Sequence, residues 1–175
     1  MFTINQINEA HSNEKGKVKF PVYVKEIMKL GVTRYETYVE DGHTTYFGKN
    51  SFKIVSEPIY ESLSVSDQPD KSQFVHDLKD HQQGGKDYLA FCSDCAKSGV
   101  EKWVVDVSKM TCTYYDKAGN EIFDEKIPTL QEDNQLQKST EMHYWFVWEP
   151  EISIPVDSID SIITGISKIF TQSGF

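Results

Sequence analysis

The stretch GVTRYETYVEDGHTTYFGKN, residues 31–50, is followed 68 residues later by a similar one, GVEKWVVDVSKMTCTYYDKAGN, residues 99–120. Shifting the chain by 68 residues aligns residues 20–49 with the later copy without a gap and with seven identities. The aligned pairs include Gly31 with Gly99, Val32 with Val100, Arg34 with Lys102, Tyr35 with Trp103, Val39 with Val107 and Tyr46 with Tyr114. We interpret the pattern as an internal duplication, and the alternative is a chance match between two similar hairpins.

Each copy is predicted to contain two helices followed by antiparallel strands. Thr3 and Gln6 have the spacing of a helix-capping box, and PVYVKEIMKLG has an apolar helical face. Asp41-Gly42, between two runs rich in Tyr, Val and Thr, predicts a two-residue hairpin turn. The second copy repeats this order with helices in DKSQFVHDLKDHQQGG and LAFCSDCAKSG, and its last strand is predicted in NEIFDEKI. The linker SEPIYESLSVSDQPDK is expected to contain one helical turn.

The predicted fold class is therefore α+β, with two tandem helix–helix–β-meander repeats in a pseudo-twofold relation and a C-terminal strand and helix. We expect the first repeat in residues 1–68, the second in 69–128 and an extension in 129–175, all within one compact domain. A unit of about 65 residues buries little surface alone, so joining two units would enlarge the core. The repeats could join their sheets edge to edge or pack their helices together.

Composition argues against several classes of protein. The net charge is −9, and the 18 basic residues are scattered, which is not the pattern of a nucleic-acid-binding surface. No apolar run approaches the roughly 20 residues of a membrane span, and the first residues lack the pattern of a secretory signal. Three cysteines are an odd number and do not suggest a disulfide framework. We expect a cytoplasmic protein with no membrane or nucleic-acid partner and no cofactor.

The first 128 residues also resemble a known family. FTINQINEAHSNEKGKVKFPVYVKEIMKLGVTRYETYVEDGHTTYFGK and YLAFCSDCAKSGVEKWVVDVSKMTCTYYDKAGNEI are similar to the uncharacterised bacterial YbcV-like family, often labelled "phage envelope protein". The resemblance implies no established activity and no catalytic residues. Residues 129–175 lie outside it.

The motifs that most often carry chemistry are weak here. Cys92-x-x-Cys95 falls inside a predicted helix at positions that the first copy fills with Val24 and Ile27, so packing explains the pair better than redox or zinc chemistry. The sequence has no HExxH, GxSxG, P-loop or GxGxxG pattern. We therefore predict no catalytic residues and no metal site.

Two polar pairs recur in both copies, Arg34 with Lys102 and Tyr46 with Tyr114. A repeated cation and phenol could line a groove for a small acidic ligand, while the alternative is a solvated basic residue and a packed tyrosine. His43 beside the turn is a further candidate, with Tyr46 or Asp41 as its partner in a base role. The function expected from these observations is a non-catalytic binding or assembly module. The alternative is a small-molecule enzyme or acidic-ligand-binding protein with a cleft between the repeats.

The segment 129–175 differs from both repeats. EMHYWFVWEPEISIPV is apolar on both faces of a predicted strand, and a helix with an isoleucine stripe is expected from Asp157 or Ser158 onward. These elements either fold back to close the duplicated sheet or form a self-association surface. The interface candidates are Tyr144, Trp145, Phe146 and Trp148.

Overall fold

The computed structural model describes residues 1–13, 16–17 and 20–128, with side chains for 1–11 and 20–128. These residues form four helices and eight strands. In chain order they are α1 (Ile4–Ala10), β1 (Ser12–Asn13), β2 (Gly16–Lys17), α2 (Phe20–Leu30), β3 (Val32–Tyr38), β4 (Thr44–Gly48), β5 (Lys53–Val55), α3 (Lys71–Gln82), α4 (Tyr88–Lys97), β6 (Lys102–Asp106), β7 (Thr111–Tyr115) and β8 (Glu121–Lys126). The fold class is α+β, as predicted.

Local sequence accounts for where the helices begin. Thr3 caps α1 in a complete capping box with Gln6. Asp70 and Asp87 cap α3 and α4, and each side chain accepts a hydrogen bond from the backbone N–H three residues later. Such caps satisfy backbone donors that the first helical turn leaves unpaired. Gly31 follows α2 with φ +99°, a left-handed conformation that favours glycine.

Six of the strands form one antiparallel sheet, with strand order β5-β4-β3-β6-β7-β8. The two halves of the chain therefore join edge to edge, through the pairing of β3 with β6. Glu36 pairs with Val104 at the middle of this seam, and these residues are 68 positions apart. Both halves also have the same order of helix, helix and three sheet strands. An internal duplication would account for this arrangement, and it stays a prediction.

All four helices contribute to one hydrophobic core on one face of the sheet. Trp103 is fully buried and lies against Phe91 of α4 and Tyr114 of β7. In the first half, Tyr23 of α2 approaches Tyr35 of β3, with ring centroids 6.4 Å apart. Alternate residues of the central strands therefore point into the core, and their neighbours point to the opposite face.

Two local predictions are wrong. The connection between β3 and β4 spans residues 39–43 rather than the two residues Asp41-Gly42, because the Gly42 N–H bonds back to the carbonyl of Tyr38 and the chain turns more widely. The linker 56–70 forms no helical turn. It is tied instead by backbone bonds to Asp41, Glu40 and Ala96. The C-terminal strand and helix predicted for 129–175 lie outside the described residues.

Candidate functional site

The face of the sheet opposite the core, called the open face below, is not covered by any helix in the described part of the chain. Strand register and side-chain alternation place eleven side chains of the four central strands on it. They are Arg34, Glu36, Tyr38, Thr45, Phe47, Lys102, Val104, Asp106, Thr111, Thr113 and Tyr115. The centre of this surface is the seam between the two halves, where β3 pairs with β6.

Glu36 is the centre of a charged cluster on the open face. Its carboxylate lies 2.7 Å from Lys102 Nζ and 3.2 Å from Arg34 Nη2, and it accepts a hydrogen bond from Tyr38 Oη at 3.2 Å. The Glu36 side chain is only 11% exposed, whereas Arg34 is 50% exposed. Partial burial acts to lower the pKa of Lys102, but the bond to Glu36 outweighs it and raises that pKa. The two cations thus share one carboxylate.

Aromatic rings flank both cations. The Arg34 guanidinium lies over the Phe47 ring, 4.1 Å from its centroid, and Lys102 Nζ lies 5.2 Å from the centroid of Tyr38. Both distances are within the range of cation–π attraction. Phe47 pairs with Arg34 across the strands, and Tyr38 pairs with Lys102. Each cation therefore contacts both the Glu36 carboxylate and a neighbouring aromatic ring.

His43 extends this cluster at the end of the sheet. Its ring stacks on Tyr38 with centroids 4.6 Å apart, and its Nδ1 contacts the Asp41 carboxylate at 2.5 Å. Burial acts to raise the pKa of Asp41, but hydrogen bonds from the backbone and side chain of His43 lower it below its usual value. Because an ionised carboxylate only accepts, Asp41 holds the Nδ1–H tautomer. The contact between His43 and Asp41 that the sequence suggested is present, whereas Tyr46 lies in the core on the other face of the sheet.

Arg34, Lys102 and His43 are thus brought together, but Tyr46 and Tyr114 are not part of this cluster. Both tyrosines point into the core on the other face of the sheet. Tyr46 Oη lies 3.3 Å from Tyr23 Oη, and Tyr114 Oη donates to Glu125 at 2.9 Å. Burial raises the pKa of both phenols. The repeated phenols serve as packed side chains, and no shared groove of cations and phenols forms among the described residues.

Sequence reasoning missed Glu36, Tyr38 and Phe47. A usable signal was present, because Arg34, Glu36 and Tyr38 alternate along one strand and must share a face. The register between the halves was not readable from the sequence. Without it, the position of Lys102 beside Glu36 could not be predicted.

A separate polar pocket of about 410 Å³ lies at one end of the seam. Glu40, Glu101 and Lys117 line it, together with residues 62–65 of the linker. The Lys117 ammonium already donates to the Val65 carbonyl at 2.6 Å and to Asp67 at 2.7 Å. None of the residues predicted to bind a ligand lines this pocket.

All three cysteines lie in the described part of the chain and are buried free thiols. Cys92 and Cys95 are 0% and 1% exposed, which confirms the prediction that they are core residues. Burial raises the pKa of Cys92 to about 11, so its thiol is protonated at neutral pH. Among the described residues, no group of three or more His, Cys, Asp or Glu side chains is arranged to hold a metal ion.

Comparison with known proteins identifies the family. Residues 8–126 match a family described as "Protein of unknown function (DUF1398)". The match covers more than half of the chain and includes all of the open face, so the chain belongs to this family. No curated protein matches the chain. The resemblance to the YbcV-like family stays a prediction. No helix in the described residues is long and apolar enough to cross a membrane.

Proposed function

We propose that this protein is a non-catalytic binding module, and that its open face binds an acidic protein segment containing aromatic residues. The observation that carries the proposal is the Glu36 cluster. Two cations from different halves of the chain meet on a sheet face that no helix of the described residues covers, and they share a single carboxylate. A second carboxylate, supplied by a partner, would complete the charge pairing.

Local charge supports an acidic partner. Arg34 and Lys102 bring two positive charges to the single carboxylate of Glu36, while the nearby carboxylates of Asp106 and Asp41 contact Lys109 and His43. Arg34 reaches toward solvent from the cluster, since half of its side chain is exposed. A guanidinium offers five N–H donors, more than its contact with Glu36 uses. An incoming carboxylate can therefore bind Arg34 without displacing Glu36.

The aromatic side chains support the second part of the proposal. Phe47, Tyr38 and Tyr115 lie beside the cations and are only partly buried. Partly exposed aromatic rings next to arginine are typical of protein-binding surfaces. The side of a sheet favours a protein segment over a small molecule, because small ligands usually bind in concave sites.

A peptide-display selection tests the proposal, with the full chain carrying Trp145→Ser and Trp148→Ser as bait so that its own aromatic segment does not compete for the open face. We expect the enriched peptides to combine Asp or Glu with aromatic residues. Their affinity should fall about tenfold for the variant Arg34→Gln, Glu36→Gln, Lys102→Gln, which removes the cations without leaving a buried unpaired carboxylate.

Glu36→Gln alone is the matched control. It carries the same substitution of Glu36 as the triple variant but keeps Arg34 and Lys102. It should bind these peptides at least as tightly as the native protein does. Peptides with no acidic enrichment, or equal affinity for the triple variant, would contradict the proposal.

The pocket at the end of the seam supports a second candidate function, binding of a small polar molecule between the halves. Glu40, Glu101 and two serines provide hydrogen-bonding groups in a concave site. A thermal-shift screen of small amines and amino acids tests this candidate. A stabilising compound whose effect disappears in Glu101→Gln, but not in Glu121→Gln outside the pocket, would support it, and no stabilising compound would contradict it.

A further inference from the structure

We propose that the acidic, aromatic segment bound by the open face is residues 141–151 of the chain itself. This inference rests on the proposed function and names the partner for the same surface. It commits to binding within one molecule, so that a second copy of the chain or another protein becomes an outcome of the test.

The composition of residues 141–151 matches the chemistry of the open face. The sequence EMHYWFVWEPE contains three glutamates, Glu141, Glu149 and Glu151, and no lysine or arginine. It also contains four aromatic residues in five positions, which are Tyr144, Trp145, Phe146 and Trp148. Aromatic side chains of this size gain most from burial against apolar and cationic neighbours. The open face offers both, in Phe47, Tyr38 and Val104 and in the two cations.

The position where the described chain ends also favours this partner. The Ile127 N–H donates to the Met110 carbonyl at 2.8 Å, beside the end of β8. Strand β8 is three strand spacings from β3, or about 14 Å at 4.8 Å per spacing. The polar stretch between Pro128 and Glu141 has a root-mean-square span of about 20 Å if it is flexible. The segment can therefore reach the Glu36 cluster without an extended connector.

The same geometry favours binding within one molecule over binding between two. A short connector whose span matches the distance gives an effective concentration in the millimolar range. A second copy present at micromolar concentration competes poorly with it. The chain's own segment is thus the expected occupant in dilute solution.

Thiol labelling of the full-length protein tests the inference. Thr113→Cys places a reactive thiol on the open face, two strands from β3, while the native cysteines are buried and slow to react. We expect its labelling to be at least tenfold slower than in the same protein carrying Trp145→Ser and Trp148→Ser. Lys97→Cys, on the exposed side of α4, is the control. Its thiol should react at the same rate whether or not Trp145 and Trp148 are replaced by serine.

Equal labelling of the Thr113→Cys thiol with both tails would overturn the inference. Protection that grows with protein concentration would also overturn it and would point to a second copy. The display selection keeps the two proposals distinguishable, because its bait carries Trp145→Ser and Trp148→Ser and therefore leaves the open face free. If acidic peptides are still selected and still depend on Arg34 and Lys102, the proposed function stands while residues 141–151 are rejected as the partner.

Discussion

The two faces of the sheet are built from the same strands but differ in almost every property. On the core face, Trp103, Tyr114 and Cys112 are completely buried. On the open face, the adjacent Lys102, Val104 and Thr113 remain partly exposed. Both faces contain one of the repeated polar pairs, tyrosines in the core and cations outside. A residue pair that recurs in the sequence can therefore serve packing on one face or be available for binding on the other. The face on which the pair lies decides between these roles.

The largest expected effect contrasts neighbours on opposite faces. Trp103→Ala removes a fully buried indole that contacts Tyr88, Phe91 and Tyr114, so it should lower the free energy of unfolding by about 3–5 kcal/mol. Val104→Ala, one residue away on the open face, should cost less than about 1 kcal/mol. Urea unfolding followed by circular dichroism measures both. Equal losses would mean that the open face is covered as fully as the core.

A smaller loss is expected at the helix cysteines. Cys92→Ala and Cys95→Ala should each lower the free energy of unfolding by about 1–2 kcal/mol, because both thiols pack in the core. Neither substitution should alter binding by the open face. In the native protein both thiols should react slowly with a labelling reagent, and rapid labelling at pH 7 would contradict their burial.

Replacing Glu125, an acidic residue on the core face, should raise the free energy of unfolding instead of lowering it. Burial raises the pKa of Glu125 above its usual 4.5, although hydrogen bonds from Gln82 and Tyr114 oppose the shift. A raised folded-state pKa means that the stability contributed by this group is present below the unfolded pKa and is lost as pH rises through the folded value. Glu125→Gln should therefore raise the free energy of unfolding at pH 7 by up to about 1 kcal/mol, with no gain below pH 4.

Glu121→Gln is the matched control for Glu125→Gln, because Glu121 is an exposed glutamate of the same strand, β8. Its stability should change little at either pH. A loss of stability for Glu125→Gln at pH 7 would show that the hydrogen bonds from Gln82 and Tyr114 need an ionised carboxylate.

Much of the fold could be predicted because its signals are local. The capping box of Thr3 and Gln6 and the glycine after α2 act within a few residues, and the helices lie where these signals placed them. The β3–β4 turn was predicted too short, because Asp41 bonds to His43 and to the linker rather than closing a two-residue turn. Contacts with a distant segment override a local turn preference.

The candidate site was harder to predict from the sequence than the fold, because it depends on the pairing of β3 with β6 across the seam. Arg34 and Lys102 were identified by their repetition, yet Glu36 has no acidic counterpart, since Val104 occupies the equivalent position. The residue that joins the two cations is thus one that differs between the two aligned segments. Only the register of β3 with β6 reveals that Glu36 lies between them.

The affinity of Glu36→Gln for a selected acidic peptide tests the central claim most directly. If the two cations bind a partner's carboxylate, removing the internal carboxylate that shares them should tighten binding several-fold at low salt. The gain should fade in 0.5 M salt because exposed charges are then screened. Calorimetric titration of the full-length protein carrying Trp145→Ser and Trp148→Ser, with and without Glu36→Gln, gives both values. Weaker binding by Glu36→Gln at low salt, with the fold intact, would contradict the account.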